Sequence, residues 1–239
     1  MNNNEKEALQ YLVELGQDTE KIIEIGGQPY SHLNLKRICL PSVDAVQLST
    51  LDSFVEFTKQ IIAREITNAQ DLMIHVESPV KVRLIGAIRD DASREVFAET
   101  TAALPSEISY RQYYSTEDFN VNLQSRFVEN EDKKLLLKFT GLIKEEAIKT
   151  VGDNGVSQQA TIKTGVTTVG NAVVPNPVTL APYRVFREVE QPESIFIFRM
   201  KDGPSAALFE ADGGAWRLEA IKNVADYLKE RLPEMIVLA

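Results

Sequence analysis

The sequence predicts an α+β fold, a mostly antiparallel sheet with flanking helices and a long central β-hairpin arm. Three observations lead there. Helical apolar stripes occur near Leu51, Phe119 and Trp216, runs of two-residue alternation lie between them, and the order lacks the regular strand–helix repetition of a doubly wound sheet. The expected division is an N-terminal α+β region over residues 1–142, an arm over 143–170, and a C-terminal hairpin and helix over 171–239 that pack with the first region as one domain.

Taken in order, Leu9, Leu12 and Val13 share one face of a helix over Glu5–Leu15, which Gly16 terminates. Lys21–Ile25 reads as a short strand, and Gly26–Asn34, with its paired glycines and Pro29, as a loop before Leu35–Leu40. A second helix starts at a Ser49 cap with Asp52 three residues on, carries Leu51, Phe54, Val55, Thr58, Ile61 and Ile62, and ends near Arg64. Leu72–Glu77, Val80–Gly86 and Arg94–Ala102 form a meander that this helix covers. Ser115 caps a third helix, with Asp118 three residues on and Phe119, Leu123 and Phe127 in one row. Lys134–Ile143 returns to strand character. Within the arm, Asp153-Asn154-Gly155 favours a tight reversal, because Asn and Gly tolerate positive φ. Pro175, Pro177 and Pro182 then stiffen the chain. Tyr183–Glu190, Ser194–Met200 and Ser205–Asp212 read as strands, the last two antiparallel. The final helix sets Trp216, Leu218, Ile221, Val224, Ala225 and Leu228 on its apolar side and stops before Pro233, leaving Met235–Ala239 as an edge strand.

Composition narrows the function classes. Among 239 residues, 35 Asp and Glu outweigh 26 Lys and Arg, a net charge of −9 that gives no global attraction to nucleic acid or an acidic bilayer. A local basic groove is still compatible with that total. The single cysteine, Cys39, excludes an intrachain disulfide and a multi-cysteine metal knuckle, and reads as a small core hydrophobe. There is no apolar run of membrane-spanning length, and the first residues lack the pattern of a secretory signal. Walker, GxGxxG, HExxH, EF-hand and GxSxG patterns are absent. No catalytic residue, metal or cofactor is assigned.

Three groups of candidate residues remain. Asp212, Gly213, Gly214 and Arg217 form a bend in which Asp212 caps the last helix and the glycines allow close backbone approach to an anion; His32 is a second ligand candidate. Arg111, Tyr113, Tyr114, Arg184 and Arg187 mix guanidinium and aromatic groups that suit bases and phosphates. In the arm, Ile148, Thr150, Val151, Asn154, Val156, Thr161, Ile162 and Thr164 are too sparsely apolar for burial on both sides, and are interface candidates.

NEDKKLLLKFTGLIKEEAIKTVGDNGVSQQATIKTGV, then VPNPVTLAPYRVFREVEQPESIFIFRMKDG and ALFEADGGAWRLEAIKN, resemble a group of uncharacterised proteins from phages and prophages of Gram-positive bacteria, and are distantly similar to the YfdQ-like prophage proteins. The resemblance is greatest over Tyr113–Tyr227. It implies a protein of the host-cell cytoplasm and carries over no catalytic residue. The expected function is therefore a non-enzymatic phage accessory protein that self-associates and binds a host or phage component. Two alternatives are a nucleic-acid-processing accessory protein and a small-molecule or nucleotide-binding protein.

Overall fold

A computed structural model describes residues 3–17, 22–31, 36–37, 42–141, 148–153, 158–164, 167–173, 176–201 and 205–239. His32, Cys39, Asn154 and Val156 lie outside the described residues. In chain order the elements are α1 (Asn3–Gln17), β1 (Ile22–Ile25), β2 (Gln28–Ser31), β3 (Lys36–Arg37), β4 (Val46–Leu48), α2 (Leu51–Ala63), β5 (Leu72–Ser78), β6 (Lys81–Ile88) and β7 (Arg94–Thr101). There follow β8 (Tyr114–Ser115), α3 (Thr116–Arg126), α4 (Glu131–Gly141), β9 (Ile148–Asp153), β10 (Gln158–Thr164), β11 (Thr167–Val173), β12 (Val178–Leu180), β13 (Ser194–Lys201), β14 (Ser205–Glu210), α5 (Trp216–Arg231) and β15 (Ile236–Leu238). The fold is α+β with predominantly antiparallel sheets.

The chain divides into two compact units, residues 1–44 with 87–95, and residues 45–86 with 96–239. In the first, Gly26 and Gly27 take φ of 60° and 77° and close a two-residue turn that pairs Ile25 with Gln28. Two successive positive φ values are what a twisted hairpin requires there. Where Gly26–Asn34 predicts a loop, the paired glycines let the chain double back, so β2 forms within it. Leu9, Leu12 and Val13 do share the predicted helix α1, but all three are exposed.

The second unit has two cores. One lies under the sheet β15-β5-β6-β7-β4, where Leu72, Ile74, Val82, Leu84 and Ala98 meet Leu51, Phe54 and Ile61 of α2 and Val224, Ala225 and Leu228 of α5. The alternating pattern of β5 and β6 dictates this face, and α2 covers it as its stripe predicts. Thr50, rather than Ser49, is the cap: its hydroxyl accepts the Ser53 N–H at 3.2 Å. Leu218 departs from the predicted apolar side of α5 and is 77% exposed. The terminal strand β15 adds to β5 in parallel at the sheet edge.

The other core is aromatic. Phe196 and Phe198 of β13 pack under α3 and α4 against Phe119, Leu123, Phe127, Leu136 and Phe139, with rings meeting at tilted and edge-on angles. Ser115 caps α3 as its spacing predicts, accepting the Asp118 N–H at 3.1 Å.

Two predicted strands are not strands. Lys134–Gly141 belongs to α4: Asn130 Oδ1 accepts the Lys133 N–H at 2.9 Å, and Glu131 and Asp132 occupy the first turn. The Leu-Leu-Leu run hides the helical period, and Leu136, Phe139 and Thr140 show which face is buried. Tyr183–Glu190 is an irregular loop, with Val185 and Phe186 buried consecutively rather than on opposite faces. Gln191 holds it. Its Oε1 accepts the Arg184 and Val185 N–H groups at 3.0 and 3.1 Å, while its Nε2 donates to the Phe186 and Val189 carbonyls at 2.9 and 3.2 Å. One amide thus replaces a strand ladder.

The arm region contains the predicted hairpin, with Gln158 opposite Asp153, and a third strand, β11, on the other side of β10. These strands form a sheet of their own, order β11-β10-β9. Ile148, Thr150 and Val151 stand on β9, and Thr161, Ile162 and Thr164 on β10. No helix among the described residues is long and apolar enough to cross a membrane.

Candidate functional site

A groove of about 420 Å³ opens in the second unit. Its walls come from the β5–β6 turn at Pro79 and Val80, the segment Leu104–Tyr110, the entry to the Gln191 loop at Pro182–Arg184, the end of β14, and the first turn of α5. It continues past Tyr110, Glu210 and Arg217 into a second depression lined by Arg111, Gly213 and Gly214. Four arginines, Arg111, Arg126, Arg184 and Arg217, line the combined groove against two glutamates, Glu107 and Glu210. The acidic chain therefore carries locally inverted charge here.

Its structural pivot is Arg184, 8% exposed. One terminal nitrogen donates to Glu210 Oε1 at 2.6 Å; the other donates to the Ser194 hydroxyl, which in turn donates to Asp212. Burial lowers the pKa of this guanidinium, and the Glu210 bond opposes that; an arginine nevertheless stays charged. Its Cζ lies 3.8 Å from the centre of the Trp216 ring, and the exposed Arg217 places its own Cζ at 4.9 Å from that ring. Two cations thus share one indole. The Arg184 Nε and Trp216 Nε1 hydrogens are buried donors without an acceptor among the described residues.

Asp212 is the negative counterpart. Burial pushes its carboxyl up, but the Ser194 hydroxyl, the Gly214 and Trp216 N–H groups and the charge on Arg184 together hold it below the ordinary aspartate value. Its Oδ1 accepts the Gly214 N–H at 2.9 Å. Asp212 is therefore not the predicted helix cap: Ala215 precedes α5 and makes no side-chain cap bond, while the Asp212 carboxylate closes the Gly213-Gly214 bend and leaves the Arg217 side chain as the cationic group facing outward. Gly213 and Gly214, at φ 64° and 82°, provide the reversal into the helix, and a Cβ at Gly214 would collide with the Arg217 guanidinium.

Tyr110 completes the wall. Its ring lies 5.2 Å from that of Phe196, and burial, opposed by the charge on Arg184 and aided by that on Glu210, pushes its phenol up to about 12. It therefore presents a neutral ring and hydroxyl.

The structure brings Arg111, Arg184, Asp212, Gly213, Gly214 and Arg217 into this one region, joining residues that the sequence reading placed in separate groups. Arg187 packs on Tyr183, itself a groove residue, at 4.4 Å. Tyr113 instead packs on Phe209 and receives Lys201 over its ring at 4.0 Å, while the Tyr114 hydroxyl bonds the Ser109 backbone. Neither tyrosine lines the groove. Sequence reasoning missed Arg126 and Ser194, and took Trp216 for packing alone. The available signal for Trp216 was its position directly after two glycines and before an arginine. No group of three or more His, Cys, Asp or Glu among the described residues could hold a metal ion.

No family model, curated protein or solved structure matches the chain.

Proposed function

We propose that this is a non-enzymatic accessory protein of a phage or prophage, acting in the host cytoplasm, that binds a component through the Trp216 groove. The observation that carries the reading is Arg217 beside Trp216: an exposed guanidinium with no carboxylate pair among the described residues, set against an aromatic wall. Such a surface suits a ligand that joins an anionic group to a flat ring. Trp216 is the only tryptophan in the chain and reports occupancy directly. Calorimetric titration with mononucleotides, paired with tryptophan fluorescence, tests the reading. Saturable heat and a fluorescence change, both weakened at least tenfold by Arg217→Ala, are expected. Neither signal with any mononucleotide at millimolar concentration would overturn it.

A second activity, self-association, is favoured by the separate sheet β11-β10-β9. Its outer strands supply backbone edges for pairing with another copy. Replacement of Glu146–Thr164 by a short turn is expected to reduce the mass measured by light scattering. An intact protein that is already monomeric would contradict this.

A further inference from the structure

We infer that the groove's ligand is single-stranded nucleic acid, a proposal that rests on the binding role given to the groove above. Three features favour a strand over an isolated small molecule. First, the two depressions share Tyr110, Glu210 and Arg217, so the surface continues beyond the Trp216 wall to Arg111. Second, cations recur along it. Arg111 and Arg217 are exposed, Arg126 is half-buried, and none has a carboxylate pair among the described residues; Arg184 alone is neutralised, by Glu210. Third, Tyr110, Tyr183 and Trp216 provide flat rings among these cations, while Arg187 lies over Tyr183 outside the lining. Rings interleaved with guanidiniums serve a chain of alternating bases and phosphates, because stacking tolerates any base and the arginines follow the backbone.

The local chemistry also argues against duplex as the preferred form. Stacking on Tyr110, or on the guanidinium plane of the exposed Arg217 beside Trp216, needs an unpaired base face, which a duplex conceals within its own stack. The net charge of −9 further disfavours sequence-independent binding over the whole surface and confines attraction to the groove.

The test uses the full chain, a fluorescein-labelled 20-nucleotide oligothymidylate, the corresponding oligoadenylate–oligothymidylate duplex, and thymidine monophosphate. Anisotropy and Trp216 fluorescence are followed from low to moderate salt. The single strand is expected to bind at least tenfold more tightly than the duplex and a hundredfold more tightly than the monophosphate. Its affinity should fall with salt at a log–log slope of about −2 to −3, as three or four neutralised phosphates require. Arg111→Ala and Arg217→Ala should each reduce that slope by roughly 0.7, while exposed Lys134→Ala leaves it unchanged. Circular dichroism shows whether the variants are folded. Monophosphate binding with no gain for the oligonucleotide would overturn the strand proposal and leave the groove's binding role standing. No interaction with either probe would overturn both. Equal binding of duplex, or of poly-glutamate in place of the strand, would also reject the inference.

Discussion

The outer face of the meander and the Trp216 groove both carry arginine, but they treat its charge differently. Between β5, β6 and β7, Lys81 meets Glu99 at 2.6 Å, and Arg83 meets Glu99 at 3.0 Å and Glu77 at 3.1 Å. The Lys81 and Arg83 bonds, against a smaller effect of burial, keep Glu99 below the usual carboxylate range. In the groove, only Arg184 is matched; Arg111, Arg126 and Arg217 have no carboxylate pair among the described residues. The first pattern satisfies a sheet surface internally. The second leaves cationic groups available to something outside the chain.

The largest effect should come from beneath the groove. Phe198→Ala removes a fully buried ring of the aromatic core and is expected to cost about 3–5 kcal/mol in chemical denaturation. A loss below 1 kcal/mol would mean that this core does not support the sheet as described. Gln191→Leu keeps the volume but strands the Arg184 and Val185 N–H groups and several carbonyls. About 3 kcal/mol should be lost, because each orphaned buried group costs roughly 1–3 kcal/mol. Oligonucleotide affinity should weaken in the same variant, because the loop presents Arg184 and Tyr183.

Asp212→Ala comes next, at about 2 kcal/mol, for the bonds that its carboxylate accepts from the Ser194 hydroxyl and the Gly214 N–H. Its pH dependence has a defined sign. A carboxyl held below its unfolded value contributes fully above about pH 4, and that contribution disappears as pH falls through the folded value. Acid titration of the wild type should therefore show a stability loss below about pH 4 that is smaller in Asp212→Ala. Identical acid profiles would remove Asp212 from the account. Arg217→Ala is the smallest structural perturbation, within about 0.5 kcal/mol, as expected for an exposed side chain without an ion pair.

The legible parts of the sequence were those in which one physical signal dominated. Alternation along Leu72–Val76 defined β5, and the cap at Ser115 with its Phe119–Leu123–Phe127 row defined α3. The reading failed where a distant partner decided the structure. Nothing local announces that Gln191 will bond five backbone groups of Tyr183–Glu190 and suppress its alternation. The three leucines of α4 fit either period until the Asn130 cap is considered. For the site, Asp212–Arg217 was visible as a bend, and Arg111 and Arg184 as basic positions. Their convergence on one groove required β14, α5 and the 182–191 loop to be assembled first.

The most direct test compares two charge-matched double variants, Arg111→Ala with Arg217→Ala, and Lys81→Ala with Arg83→Ala. Each removes two positive charges, so any effect of net charge is common to both. Affinity for the 20-nucleotide single strand at fixed low salt should fall at least a hundredfold in the groove variant and less than threefold in the meander variant. Equal losses in the two would contradict the claim that unpaired groove arginines, rather than overall charge, make the binding surface.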